Sequence, residues 1–260
     1  MYWISAVVGV KRVVCWSGGS DSTATVIIAK EKGIPIDCIL FSEVMFDAHT
    51  SCELPEHMEF VKNVAIPRFA EWGYETKILH HDKTYMDYFN QYRIKGKYVG
   101  KKVGFPMADK CNVRNCKVQP IEKFLKTHKD CIQYVGICAD EPLRLCRLGE
   151  NKYSLLAQYE YGKEKTMHLC KEYQLLSPYY QYSKRGGCWC CPNASITQLR
   201  FLRERHPELW KKLLLLEEEE DLIGNIFNTQ AGRSVKKLEE DFLWESRQLD
   251  IVSYSESYVV

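Results

Sequence analysis

The chain carries almost no surplus charge: 36 Lys and Arg stand against 34 Asp and Glu in 260 residues. No global field therefore attracts nucleic acid or an anionic membrane, and any such preference must be local. No apolar run approaches the ~18 residues that a membrane span requires. The opening "MYWISAVVGVKR" lacks the basic start and cleavage site of an export signal. There is no internal repeat, no low-complexity linker and no pair of histidines at metal-ligand spacing. These absences lead to the expectation of a soluble, cytoplasmic protein without a membrane partner. A chain of this length suits one domain of about 200 residues plus a smaller appendage, or two small domains.

Cysteine, by contrast, is abundant. Twelve cysteines are too many for chance and too irregularly placed for a secreted disulfide scaffold, which leaves metal or redox chemistry as the default. Cys15, Cys38, Cys131 and Cys138 lie inside apolar, strand-like runs and read as small buried hydrophobes. Cys111 and Cys116 are spaced C-x4-C. Cys188 and Cys191 form C-x2-C with Cys190 between them, after Gly186 and Gly187 and before Pro192. Two such pairs can supply four thiolates to one centre, either a [4Fe–4S] cluster or Zn²⁺. A redox pair is the competing reading. Cys146, Cys170 and Cys190 are spare ligands, sulfur carriers or inert thiols.

Strand and helix signals alternate. Arg12–Trp16, Asp37–Glu43, Glu75–Leu79 and Cys131–Cys138 are short β-branched or aromatic runs of the kind buried on both faces. Between them, Asp21–Lys32 reads as a helix stopped by Gly33. Glu53–Trp72 reads as a helix stopped by Gly73 and kinked at Pro67, and Pro120–Lys126 as a shorter one. This order predicts an α/β fold, a Rossmann-like parallel sheet with helices on both faces and its ligand at the carboxyl ends of the strands. Residues 1–150 are expected to form that nucleotide-binding domain. Residues 151–260 are expected to form a smaller, Cys-rich, mainly helical part, with Leu175–Ser177 its one candidate strand. There Ser195 and Gln198 fit a capping box, Pro207 opens another helix, and Glu217–Asp221 is a solvated helix end.

The stretch between the first strand and the first helix is the most specific feature. In Ser17-Gly18-Gly19-Ser20-Asp21-Ser22 the glycines permit a sharp bend, and the amides that follow can converge at a helix N-terminus into a nest for a phosphate-sized oxyanion. The serines add hydroxyl donors. Asp21 either caps the helix or holds a divalent cation bridging to the phosphates. No G-x-x-x-x-G-K-[ST] loop occurs. Arg144 is the best side chain to pair bidentately with a phosphate, and Asp140 or Glu141 can hold Arg144 or a metal, with a surface ion pair among the three as the plain alternative.

Ser17–Ser22 resembles the SGGxDS signature of the PP-loop ATP pyrophosphatases. That resemblance implies a loop that binds the pyrophosphate part of ATP and chemistry at the α-phosphate, giving an adenylated intermediate and pyrophosphate. "CNVRNCKVQPIEKFL" (Cys111–Leu125) and "YVGICADEPLRL" (Tyr134–Leu145) are similar to motifs of the phosphoadenosine phosphosulfate reductase family, the second through Gly136, Ile137, Glu141 and Arg144. "GCWCCPNAS" and "LRERHPELWKKL" are similar to a Cys-rich element of uncharacterised members of that family. The sulfite-forming reductases use a Glu-Cys-Gly-Ile/Leu-His segment, whereas this sequence ends in "SYSESYVV". The resemblance thus implies Ser17, Gly18, Gly19, Ser20, Asp21, Ser22, Gly136 and Arg144 as nucleotide ligands and Asp21, Glu141 and Arg144 as catalytic groups. It implies ATP with Mg²⁺, and for Cys111, Cys116, Cys188 and Cys191 it favours iron–sulfur over zinc.

Between Tyr92 and Lys117 lie Arg93, Lys95, Lys97, Lys101, Lys102, Lys110, Arg114 and Lys117 against only Asp109, with Tyr92, Tyr98 and Phe105 interleaved. The Arg93–Lys117 segment suits a loop gripping nucleic acid or a polyphosphate, and a solvated basic loop is the plain alternative. The expectation is an enzyme that adenylates an acceptor and passes sulfur from a donor onto a nucleobase or nucleic acid. Two alternatives stay open: a sulfonucleotide reductase drawing on a thiol reductant, and a non-catalytic nucleotide sensor whose metal knuckle docks a partner.

Overall fold

The structure, a computed structural model, describes residues 11–106, 111, 113–128, 131–183, 186–227, 232 and 234–256, with side chains described as far as residue 248. Asp109 and Lys110 of the basic segment lie outside these residues. Packing divides the chain into two compact units, one of Met1–Thr84 and Arg114–Gly186, the other of Tyr85–Val113 and Gly187–Val260. The first unit thus extends past residue 150 and is interrupted by part of the second.

The first unit is built on β1 (Arg12–Trp16), β2 (Cys38–Glu43), β3 (Thr76–His80), β5 (Ile132–Val135) and β6 (Lys152–Tyr153) in the order β3-β2-β1-β5-β6. Every pairing is parallel, with Cys15 opposite Leu40 on one side and Val135 on the other. Side chains alternate between two covered faces, which is why the strands read as unbroken apolar runs. Val14, Trp16, Ile39, Phe41 and Tyr134 pack with α1 (Ser20–Glu31). Val13, Cys38, Leu40 and Cys131 pack with Ile121, Phe124 and Leu125 of α5 (Arg114–Lys126). The helix α1 also lies against α7 (Leu155–Gln158) and α8 (Lys163–Glu172), so its residues from Ser22 to Ala29 are all buried. It ends at Gly33 (φ 62°), where Ile34 N–H bonds the Ala29 carbonyl, the stop that the sequence calls for.

Two prolines are accommodated in instructive ways. Between α2 (Pro55–Phe60) and α3 (Ile66–Glu71), Val61–Ala65 adopts π-helical pairing. The expected kink at Pro67 takes this form because proline has no N–H to give to the carbonyl of Asn63, so the hydrogen-bond ladder shifts register ahead of it. Helix α5 begins at Arg114, six residues before the expected start, with Pro120 inside it. The Cys116 carbonyl that Pro120 cannot serve accepts instead from Ser42 Oγ of β2 at 3.3 Å. Leu175–Ser177 is irregular rather than a strand and leads into a 3₁₀ turn at Pro178–Gln181.

The second unit contains α4 (Tyr85–Phe89), a two-stranded parallel sheet of β4 (Lys102–Gly104) and β7 (Leu222–Gly224), α9 (Ile196–Arg205), α10 (Pro207–Glu217) and α11 (Val235–Glu256). Phe89, Phe105 and Phe227 stack edge to face in its interior. The Ser195/Gln198 capping box and the Pro207 start form as read. The acidic run after α10 is ion-paired, Glu219 with Lys102 and Asp221 with Lys101. Among the described residues no helix is long and apolar enough to cross a membrane.

Candidate functional site

The strand order reverses direction between β1 and β5, so their carboxyl ends flank the crevice where open parallel sheets hold ligands. The loop leaving β1 runs through residues 17–19 into α1. Its side chains mostly hold the loop itself. Ser17 N–H donates to Ser22 Oγ (3.1 Å), the two hydroxyls share a hydrogen bond (3.2 Å), and Ser22 Oγ donates to the Gly19 carbonyl (3.1 Å). Ser20 N–H donates to Tyr180 Oη at 2.8 Å, and that hydroxyl donates back to Ser20 Oγ at 3.0 Å. Among the described residues, the amides of Gly18, Gly19, Asp21 and Ser22 have no protein acceptor. Four donors are thus left at the positive end of a 12-residue helix whose N-cap, Gly19, offers no side chain to satisfy them.

Two glycines make this geometry possible. Gly18 sits at φ 72°, and a Cβ there would fall 2.4 Å from His57 Cε1. The buried His57 ring supports the loop from below, with Nδ1 2.8 Å from Ser177 Oγ. Burial pushes its pKa down to about 4, the Lys117 charge adds to the shift and a hydrogen bond to the Ser17 backbone opposes it. Gly136, the first residue after β5, backs directly onto α1: a Cβ there would lie 2.6 Å from Ser22 N. For this reason β5 stops at Val135, three residues before the end expected from sequence. The chain must turn there to pass the helix start.

The crevice in front of the loop has a volume of about 660 Å³ and is lined by Ser17, Gly19, Asp21, Ser22 and Gly136. Cys15 and Val135 also line it, and Arg114, Arg144, Arg147 and Lys152 place four cations around it. Cys15 is therefore at the site rather than plain core, and burial pushes its thiol up to about 11, a protonated and unreactive state. Of the four cations the sequence singled out Arg144 as a ligand. Arg114 comes from α5 and was read only as one cation of the basic segment, while Arg147 and Lys152, from the segment after α6 (Pro142–Leu145) and from β6, are marked by no local pattern.

The carboxylates divide their roles. Glu141 stands at the start of α6, accepting from Cys138 N–H (3.1 Å) and from the Arg144 guanidinium. Asp140 accepts from Lys163 N–H at 3.0 Å, serving the start of α8. Asp21 is not the cap of α1. Its Oδ1 accepts from Lys163 Nζ at 2.7 Å and from Ser20 Oγ at 3.1 Å. Burial is the strongest single influence and works against the Lys163 charge, but the hydrogen bond and the charge of Asp21, with smaller help from Tyr180 and Cys138, together raise the Lys163 pKa. One ligand atom each of Asp21, Cys138 and Glu141 lie within 4.8 Å of one another. The two carboxylates fit a hard divalent cation such as Mg²⁺. The Cys138 thiol does not, since burial raises its pKa to about 11 and it sits 3.5 Å from Thr166 Oγ1.

No family model matches this sequence, and no curated protein matches it. Solved structures do, among them the U34-tRNA thiolase NcsA from Methanococcus maripaludis, determined with its [4Fe–4S] cluster. It is 15% identical, with a TM-score of 0.41 over 81% of this chain and 73% of that one.

The four cysteines expected to hold a metal are distributed over both units. Cys116 lies near the start of α5 in the first, buried, with Sγ 3.3 Å from the Lys83 carbonyl. Cys111, Cys188 and Cys191 belong to the second and are partly buried. The segment after Gly187 forms the tight turn its composition suggests, with Cys191 N–H on the Cys188 carbonyl (3.0 Å) and Ala194 N–H on the Cys191 carbonyl (3.0 Å). Cys190 is buried in it. The thiols of Cys111, Cys188 and Cys191 give the second unit soft donors of the kind that suit iron–sulfur or zinc. Cys146 is exposed immediately after α6, and Cys170 is buried in α8 with Sγ 3.2 Å from the Ser20 carbonyl.

Proposed function

We propose that this chain is a PP-loop enzyme that binds ATP at Ser17–Ser22, adenylates an acceptor oxygen with release of pyrophosphate, and serves sulfur transfer onto a nucleobase or nucleic acid. The observation that carries this reading is the set of four unclaimed amides at the α1 N-terminus, opening onto a crevice ringed by Arg114, Arg144, Arg147 and Lys152. Backbone donors and guanidinium groups together suit a polyphosphate better than any neutral ligand.

In this reading the amides and Ser17–Ser22 hold the β- and γ-phosphates, and Gly136 keeps the floor low enough for the nucleotide to approach. The acceptor oxygen attacks the α-phosphorus, the bond from that phosphorus to the bridging oxygen breaks, and pyrophosphate leaves. A sulfur nucleophile then forms a bond to the activated carbon as the C–O bond breaks, and AMP carries the oxygen away. Arg144, held by Glu141, and Arg147 neutralise charge that moves onto the leaving group. Asp21 and Glu141 would hold Mg²⁺, which supplies charge neutralisation between the phosphates. Cys111, Cys188 and Cys191 of the second unit would hold the cluster, which supplies a site for sulfur or for a docking thiol. The resemblance of Ser17–Ser22 to the PP-loop signature supports the first half of the reaction, and the cysteine pairs support the second.

Pyrophosphate release measured with and without candidate acceptors tests the first half. Release is expected to depend on acceptor and to be lost in Asp21→Ala. ATP turnover unaffected by that substitution overturns the reading, and sulfite release without ATP would favour a sulfonucleotide reductase. Anaerobic purification with a visible spectrum and metal analysis tests the second half. A brown protein that loses its colour in Cys111→Ser and Cys188→Ser is expected.

A further inference from the structure

The basic segment does not behave as one surface. Residues 91–103 form a hairpin in the second unit: Arg93 N–H bonds the Lys101 carbonyl (3.0 Å), Gly100 N–H the Arg93 carbonyl (2.9 Å) and Val103 N–H the Gln91 carbonyl (2.8 Å). At its base the cations are neutralised, Lys101 by Asp221 and Lys102 by Glu219. Lys117, in the other unit, pairs with the buried Glu53. At the tip, Arg93, Lys95 and Lys97 have no carboxylate partner among the described residues, and every residue from 91 to 100 is exposed.

The same tip exposes large apolar surface. Ile94 is 83% exposed, Val99 59%, Tyr92 56% and Tyr98 46%. Lys97 Nζ lies 5.6 Å from the centre of the Tyr98 ring. A merely solvated loop gains nothing from two tyrosines and two aliphatic side chains in water. An acidic peptide would pair with the cations but leave the ring faces unused. Unstacked bases joined by phosphates use both, since every base offers a π-face and every linkage a charge. A duplex hides its base faces in the stack.

We propose that the tip of this hairpin, Tyr92–Gly100, is a docking finger for single-stranded nucleic acid, with Tyr92 and Tyr98 stacking bases and Arg93, Lys95 and Lys97 contacting phosphates. The finger takes its purpose from the polymer acceptor proposed above. Its test uses no ATP, so failure of the finger and failure of adenylation are distinguishable.

The measurement is fluorescence anisotropy of the full chain with a short labelled RNA, the same sequence as single-stranded DNA, its duplex, and a labelled poly-glutamate peptide. The triple variant Arg93→Glu, Lys95→Glu, Lys97→Glu is expected to lose at least about tenfold in affinity. The slope of log K against log salt should become shallower by about 2, at about 0.7 for each phosphate that is no longer neutralised. Tyr98→Ala is expected to lose about tenfold with the slope unchanged. A charge-matched control, Lys123→Glu, Lys126→Glu, Lys171→Glu, is expected to lose clearly less than the tip variant. No saturable binding by the wild type, equal losses in the tip variant and the control, or duplex or poly-glutamate binding as tight as the single strand overturns the proposal. Ultraviolet cross-linking of RNA to the wild type, followed by peptide mapping, needs no variant. Cross-links within residues 92–103 support the finger, and cross-links only elsewhere refute it.

Discussion

Gly136→Ala is the most incisive single change. A Cβ at this position would lie 2.6 Å from Ser22 N, 2.7 Å from the Asp21 carbonyl carbon and 2.8 Å from Ser22 Cα. All three are backbone atoms, so no rotamer change relieves the clash. To reach ordinary contact near 3.4 Å, β5 and the start of α1 must part by about 0.8 Å. A shift of that size takes the amides of the cradle outside the ~0.5 Å window in which an N–H···O bond is strong. Overpacking of this kind costs about 1–3 kcal/mol. Divided between folding and binding, it should lower the melting temperature by several degrees, at ~2–4 °C per kcal/mol, and weaken ATP by ~10-fold for each 1.4 kcal/mol that falls on the site. The assay is thermal unfolding with and without ATP, beside isothermal titration calorimetry. Gly149→Ala is the control, because its added Cβ would meet no atom within 4 Å. If Gly136→Ala matches the wild type in both melting temperature and ATP affinity, the packing of β5 on the loop is not what shapes the cradle.

Three further outcomes are expected. His57 has a folded pKa near 4 against ~6.5 unfolded, so its contribution to stability is complete above the unfolded value and is lost as pH falls between the two. The loss should approach about 3 kcal/mol at the acid end, and His57→Gln, which keeps a partner for Ser177, should flatten that part of the pH profile of chemical denaturation. Ser42→Ala leaves the Cys116 carbonyl without the donor that replaces Pro120 and should cost ~1–2 kcal/mol in urea unfolding, with the metal and iron content checked in parallel. Arg144→Ala should weaken ATP by about ten- to a hundredfold and reduce its salt dependence, with little change in melting temperature because the side chain is 55% exposed. A fall in stability without a fall in affinity would make Arg144 a structural partner of Glu141 alone.

Much of the first unit was legible in the order of residues. Buried parallel strands read as apolar runs, so β1, β2 and β3 lie within a residue of where the pattern puts them. Glycine stops and the Ser195 capping box are local chemistry and appear as read. The early start of α5 was not legible, because Pro120 is a strong helix-start signal by itself. Ser42, 74 residues away on β2, supplies the Cys116 carbonyl with a donor and so helps make an internal proline there tolerable. The two-residue β6 was equally hidden: Lys152 and Tyr153 are exposed and carry no apolar signal.

The candidate site divides in the same way. Sequence alone determined the loop, because a run of small and hydroxyl residues between a strand and a helix sets its own backbone path through local sterics and hydrogen bonds. Tertiary structure decided which of its donors remain available. Tyr180 covers one amide, Ser22 turns inward, Lys163 meets Asp21 across 142 residues, and three cations with no shared pattern converge with Arg144. It also decided which charges in the basic segment are already neutralised by Glu219, Asp221 and Glu53. Pairing across long sequence separations depends on how the chain folds back on itself, and a linear pattern carries no record of that distance.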